Sequence, residues 1–260
     1  MRYWSDLTTK DFEGLSPEET VALAPLGAIE QHGPHLPLST DAVIAEEIAR
    51  RGAERAAADV LVLPISAIGK STEHIAYPGT LTFETETLLR IWSEIGAAVA
   101  RAGIRKIVFL NAHGGQPQVM QIVARDLRVH HDMLAVSANW WECGFPEGVL
   151  SDEEMAHGVH GGQSETSIML FLRPDLVRMD RAIDFRPTTY SVHGTNDLLR
   201  LTGAPAAAWM AQDLHPEGVA GNAAVADAET GQLIVETAVA GLAQLLDETA
   251  AYPLANLKNR

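Results

Sequence analysis

Residues 21–41 read Val21-Ala22-Leu23-Ala24-Pro25-Leu26-Gly27-Ala28-Ile29-Glu30-Gln31-His32-Gly33-Pro34-His35-Leu36-Pro37-Leu38-Ser39-Thr40-Asp41. The run Val21–Ile29 is apolar throughout, with no polar alternation, and predicts a strand buried on both faces. The polar stretch after it packs two carboxylates and two imidazoles into a loop punctuated by Gly33, Pro34 and Pro37. Glu30 and His32 leave the same face of an extended chain. The breaker residues then turn the chain, which can bring Asp41 to the same place. Glu, His and Asp form the ligand set of a hard-to-borderline divalent ion. A loop this rich in polar groups, beside an apolar strand, reads as a site.

The same alternation continues outward. Asp41–Ala58 carries Val43, Ile44 and Ile48 at helical spacing, and Asp59–Ile65 is a second apolar strand. Glu84–Ala102 reads as a helix closed by Gly103, Lys106–Leu110 as a strand, Pro117–His131 as a helix and Met133–Ala138 as a strand. Helices alternating with continuous apolar strands predict an α/β domain, residues 1–260, with a mostly parallel central sheet flanked by helices in doubly wound layers. Residues 140–162 read as a long irregular segment. Gln163–Leu172 reads as a helix with Glu165 in its first turn. Residues 173–220 are expected to wrap the surface or join an oligomer contact, and Asp227–Ala250 to form a final amphipathic helix.

Composition narrows the function. A net charge of −15 argues against nucleic acid and anionic membrane surfaces as partners. One cysteine, Cys143, excludes an intrachain disulfide framework. The first residues lack a basic and then apolar leader, and no apolar run reaches a membrane span. A soluble cytoplasmic protein acting on a small molecule is expected. The dinucleotide, P-loop, G-x-S-x-G and H-E-x-x-H patterns are all missing.

In an open parallel sheet, ligands sit at the carboxyl ends of the strands. Three polar motifs fall there or close by: Glu30-Gln31-His32, Asn111-Ala112-His113-Gly114-Gly115-Gln116, and His157-Gly158-Val159-His160-Gly161-Gly162-Gln163-Ser164-Glu165. A lone His after a strand is more often a hydrogen-bonded structural residue. Three His-Gly motifs together, two bearing carboxylates, point to a metal centre instead. His74 is a further candidate for lining the site. Trp140 and Trp141 suit core or oligomer contacts, with one of them walling a pocket. His35 suits support, and His130 and His131 suit a helix C-terminus.

The segment Leu26–Leu38 with Thr40-Asp41, the Tyr77-Pro78-Gly79-Thr80-Leu81 run, Asn111–Gly115, and His160-Gly161-Gly162 with Glu165-Thr166-Ser167 resemble the creatininase (creatinine amidohydrolase) family. The resemblance spans about Val21 to Leu172. It implies an α/β domain, a dinuclear divalent centre and a homohexamer. By position, it implies that Glu30 and His113 hold one metal, His32 the other, and Asp41 bridges them. His160 falls on a catalytic or substrate-contacting His, Glu165 on a family carboxylate, and Ser71 on a substrate-contacting Ser.

Two departures bear on substrate. Creatininase proper has a Tyr-Glu pair, the Glu a metal ligand, where this chain has Gly114 and Gly115. It has a Trp-Asp pair where this chain has Ala156 and His157. The expectation is therefore a relative with another substrate, in which Glu165 fills the missing metal position and also serves catalysis with His160. Ser71, His74 and Trp140 are expected to contact substrate. The reaction expected is hydrolysis of a C–N bond in a small, possibly cyclic, amide by a hydroxide bridging two divalent ions. The ligand types favour zinc, manganese or iron, with zinc first. The alternatives are C–C ring opening of a cyclic diketone or inosose, and a catalytically silent metal-binding assembly protein.

Overall fold

The computed structural model describes residues 1–258. The elements run β1 (Arg2–Tyr3), β2 (Thr20–Leu26), α1 (Thr40–Arg55), β3 (Asp59–Val62), α2 (Thr85–Arg101), β4 (Lys106–Asn111), α3 (Pro117–His131), β5 (Leu134–Asn139), α4 (Asp152–His157) and α5 (Gln163–Leu172). After these come β6 (Asp184–Phe185), α6 (Thr189–Thr195), α7 (Ala211–Leu214), β7 (Gly221–Asn222) and α8 (Ala228–Ala251). The five strands β1 to β5 form one parallel sheet in the order β1-β3-β2-β4-β5. This is the expected α/β class.

Burial on both faces explains the unbroken apolar runs. Val21 and Leu23 of β2, with Val108 and Leu110 of β4, pack against Ile44 and Ile48 of α1, Ile168 of α5 and Ile234 and Leu242 of α8. Ala22, Ala24 and Leu26, with Ile107 and Phe109, pack the other way against Leu88 and Trp92 of α2 and Val123 and Leu127 of α3. Alternate residues of each strand thus feed opposite layers. Each fully buried aliphatic side chain contributes about 1.5–3 kcal/mol.

Helix α8 lies unusually close to its neighbours. A Cβ on Gly231 would fall 1.9 Å from the main-chain oxygen of Ser167, and one on Gly241 would fall 1.5 Å from that of Cys143. Beneath the opposite end of the sheet, the buried Lys106 ammonium donates to the main-chain oxygens of Glu18 and Ala250, each at 2.5 Å.

Four features differ from the sequence reading. The strand expected over Val21–Ile29 ends at Leu26, because the backbone of Ala42 in α1 presses on Gly27: a Cβ there would lie 2.5 Å from the Ala42 Cα. The edge strand β1 is too short to leave a periodic signal. The irregular segment contains α4, started by Ser151, whose side chain accepts from the Glu154 N–H. Residues 173–220 hold α6, α7 and β6, and bring Trp209, Met210 and Val219 over the sheet's carboxyl edge. No helix among the described residues is long and apolar enough to cross a membrane.

Candidate metal centre

Register places the site. Leu26 of β2 pairs with Asn111 of β4, and Asn111 pairs with Asn139 of β5, so three adjacent strands end level. The Asn111 side chain then organises the turn after β4. Its Oδ1 accepts from the main-chain N–H of His113 at 3.1 Å and from Gln116 Nε2 at 2.9 Å. Its Nδ2 donates to the His113 main-chain oxygen and to Asn139 Oδ1, both at 2.7 Å. The loop after β2 reverses at Gly33, whose φ of +70° suits glycine. Asp41 returns in the first turn of α1.

Glu30, His32, Asp41, His113 and His160 are all buried and converge. Asp41 divides its carboxylate: Oδ1 lies 3.3 Å from His32 Nε2, and Oδ2 lies 3.3 Å from His113 Nδ1. Glu30 Oε2 is 3.1 Å from His113 Nδ1. Its Oε1 is 3.3 Å from His74 Nε2 and 3.7 Å from His160 Nδ1. Glu165 Oε2 lies 3.8 Å from His32 Nε2 and accepts the Gly161 N–H at 2.6 Å. In three overlapping sets, one ligand atom from each residue lies within 4.8 Å of the others: Glu30, Asp41 and His113; His32, His160 and Glu165; and Glu30, His74 and His160.

These spacings suit cations. Bonds of about 2.0–2.2 Å in a tetrahedral shell put neighbouring donor atoms roughly 3.4 Å apart. Both Glu30 oxygens, Asp41 Oδ2 and His32 Nε2 are buried with no hydrogen-bond partner. Such orphans are costly unless something charged satisfies them. The electrostatics agree. Burial opposes charge on His32, yet Asp41, Glu165 and Glu30 outweigh it and push its pKa up to about 10. On His113 burial also opposes charge, and Glu30 and Asp41 raise its pKa well above the ordinary value. Burial pushes Glu165 up to about 7. The carboxylates therefore hold protons on imidazoles at the positions where metal ions fit.

His160 differs. Burial, then His32 and His74, hold its pKa well below the ordinary value, so it is a neutral imidazole. Its Nε2–H donates to the Gln31 main-chain oxygen at 2.8 Å. Gln31 Nε2 donates to His74 Nδ1 at 2.8 Å and to the Gly218 main-chain oxygen at 2.7 Å. These bonds assign a bare Nδ1 to His160 and an Nε2–H to His74, facing Glu30. Gln31 is a functional neighbour that motif reading passed over.

Glu30, His32, Asp41, His113, His160, Glu165 and His74 come together as the sequence suggested. Ser71 does not reach the cavity: it is fully buried, with its Oγ 3.5 Å from His113 Nε2. Trp140 lines a neighbouring cavity rather than the one over the donor atoms. Glu73, also unremarked in the sequence, lines the cavity over the donors and lies 3.4 Å from His113 Nε2. His35 supports, as expected: its Nε2 faces the Gly161 main-chain oxygen and Thr166 Oγ1, each at 3.0 Å. His157 bonds Thr189 and stacks on Tyr190, outside the cluster.

The cavity over the donor atoms, about 530 Å³, is also lined by Val159, Ala208, Trp209 and Met210. A second cavity of about 400 Å³ shares Gly114, Val159 and Glu165 with it and is walled by Trp140, Trp141, Phe145, Leu150 and Met155. The only carboxylate besides Glu165 in that second wall, Glu154, is occupied by the N–H groups of Gln163 and Asn222.

The family profile described as creatininase (creatinine amidohydrolase) matches residues 5–246. The creatinine amidohydrolase of Pseudomonas putida is 31% identical over a 265-residue alignment covering 94% of this chain and 95% of that protein. The mycofactocin precursor peptide peptidase of Mycolicibacterium smegmatis is 34% identical over 183 residues, 69% of this chain and 68% of its own length. Among solved structures, a manganese creatininase superposes with a TM-score of 0.75 at 28% identity. A creatininase variant of Zn-Zn type gives 0.76 at 28%. Each covers 95% of this chain and 97% of its own. The chain belongs to the creatininase family.

Proposed function

We propose that this chain is a divalent-metal-dependent hydrolase of a carbon–nitrogen bond in a small amide. The observation that carries the reading is the division of the Asp41 carboxylate between His32 and His113, at 3.3 Å each. Glu30, Asp41 and His113 would hold one divalent ion, and Asp41, His32 and Glu165 would hold a second. The donor set of imidazole nitrogens and carboxylate oxygens suits zinc, manganese or iron. When bound, such ions would supply Lewis acidity and an acidified water.

The chain's own residues do the rest. The neutral His160, with its bare Nδ1 turned toward Glu30, is placed to accept a proton and pass it to a leaving nitrogen. His74, held by Gln31, turns its Nε2 toward Glu30 Oε1, 3.3 Å away. Gly114, which lines both cavities, leaves open space beside it, with nothing within 4 Å of a Cβ position.

A second reading, cleavage of a short peptide, is favoured by the apolar second cavity, which is large enough for an aromatic or branched side chain. The test is a panel of formamides, lactams, short peptides and ring ketones assayed with metal-loaded and chelated protein. Metal-dependent turnover of amides supports the main reading. Turnover confined to peptides supports the second. Cleavage of ring ketones alone, or full activity after thorough chelation, overturns both.

A further inference from the structure

Gly115 does not need glycine for its backbone, which lies outside the left-handed region. It needs glycine for space. A Cβ there would fall 1.8 Å from Glu73 Oε1 and 2.5 Å from His113 Nε2. The residue with no side chain thus stands where a carboxylate and an imidazole meet. Glu73 comes from the short turn at Thr72–His74 and His113 from the turn after β4, so tertiary structure alone brings them together.

The two nitrogens of His113 face different surroundings. Nδ1 points at Glu30 and Asp41, at 3.1 and 3.3 Å. Nε2 donates to the main-chain oxygen of Lys70 at 2.8 Å and has Glu73 Oε1 at 3.4 Å. The Lys70 oxygen is nearer and better placed, so it fixes the ring and keeps the hydrogen on Nε2 when Nδ1 gives up its own. Glu73 adds what a neutral oxygen does not, a full negative charge on the side of the ring away from the cluster.

We propose that Glu73 is a positioning residue that, through His113, strengthens the hold of Glu30, Asp41 and His113 on a divalent ion, and that Gly115 is the vacancy admitting it. The inference rests on the metal reading above. A carboxylate behind a ligating imidazole raises its basicity, and loss of such a partner typically weakens metal binding by about 10–100-fold.

The experiment measures zinc and cobalt affinity by competition with a chromophoric chelator, on the full chain, for wild type, Glu73→Gln and Glu73→Asp. Thermal melting of each metal-free variant checks folding, and Glu73→Gln keeps the shape of the side chain while removing its charge. The expected result is a loss of about tenfold or more in affinity for Glu73→Gln, a shifted visible spectrum of the cobalt form, and partial recovery in Glu73→Asp, all with unchanged melting. Wild-type binding with equal affinity in Glu73→Gln overturns this proposal alone. A wild type that binds neither metal overturns the metal reading, and this proposal with it. Equal losses in Glu73→Gln and Glu73→Asp with lowered melting would assign Glu73 to folding and overturn the positioning role.

Discussion

His160 gives its Nε2 hydrogen to the main-chain oxygen of Gln31, 2.8 Å away, and so keeps a lone pair on Nδ1 at the floor of the cavity. A side chain cannot choose that tautomer for itself; the backbone chooses it. His160→Gln is expected to lower turnover by roughly 100-fold or more, the usual scale of general acid–base catalysis. Metal content, read by elemental analysis, should stay within a factor of two of wild type, roughly, because other donors hold both positions. Parallel loss of metal and turnover would make His160 a ligand instead.

Asp41 faces both imidazoles, so Asp41→Ala should empty both positions rather than one. Removing the carboxylate also leaves the charged His32 and His113 without their shared partner. The metal-free variant is therefore expected to be less stable than metal-free wild type by about 3–5 kcal/mol, the scale for breaking a buried ion pair. Urea unfolding and metal analysis of the same preparations check both statements. Retention of one ion per chain would show that the bridge is dispensable.

The protons on the cluster give a pH signature. His32 is raised from its ordinary value to about 10 by Asp41, Glu165 and Glu30 against the cost of burial. A folded pKa above the unfolded one stabilises the fold fully below the unfolded value, and that stability is lost as pH rises through the folded value. Metal-free protein should therefore lose stability between about pH 6.5 and about pH 10. Binding of a cation must expel these protons, so affinity should rise with pH across the same window. Calorimetry at pH 7.5 in buffers of differing ionisation enthalpy should show net proton release, and its absence would contradict the assignment of charge to His32 and His113.

Gly241→Ala tests the packing of α8. The new Cβ would lie 1.5 Å from the Cys143 main-chain oxygen, and a backbone neighbour cannot swing aside as a side chain can. A loss of about 1–3 kcal/mol or more in chemical denaturation is expected. Gly114→Ala, with nothing within 4 Å of its Cβ position, should leave stability nearly unchanged and alter only substrate preference.

Much of this was legible in sequence, and the reason is local. Val21–Leu26 and Lys106–Asn111 announce buried parallel strands because both their faces are covered. Glu30, His32 and His113 announce themselves because a strand end followed by glycine is where such a sheet opens to ligands. What escaped was whatever acts through the third dimension. Nothing near Glu73 in sequence hints that it meets His113 across the Gly115 gap. Gln31 hides between two conspicuous residues. Ser71 has the right neighbours in the chain, yet sits buried behind the His113 ring. Trp140 walls the second cavity, which shares Glu165 with the first, because the turn at Trp140–Cys143 carries its indole toward Trp141 and Phe145.

The two apolar layers cover opposite faces of the sheet, and the charged residues of the cluster stand along its carboxyl edge. Scaffold and cluster meet at two helix starts: Asp41 lies in the first turn of α1 and Glu165 in that of α5, whose Ile44 and Ile168 belong to the core. Along that edge two neighbouring glycines differ: position 114 has room for a side chain, whereas position 115 has none, because Glu73 and His113 already fill it. Change along the rim is therefore free at one residue and fixed at the next.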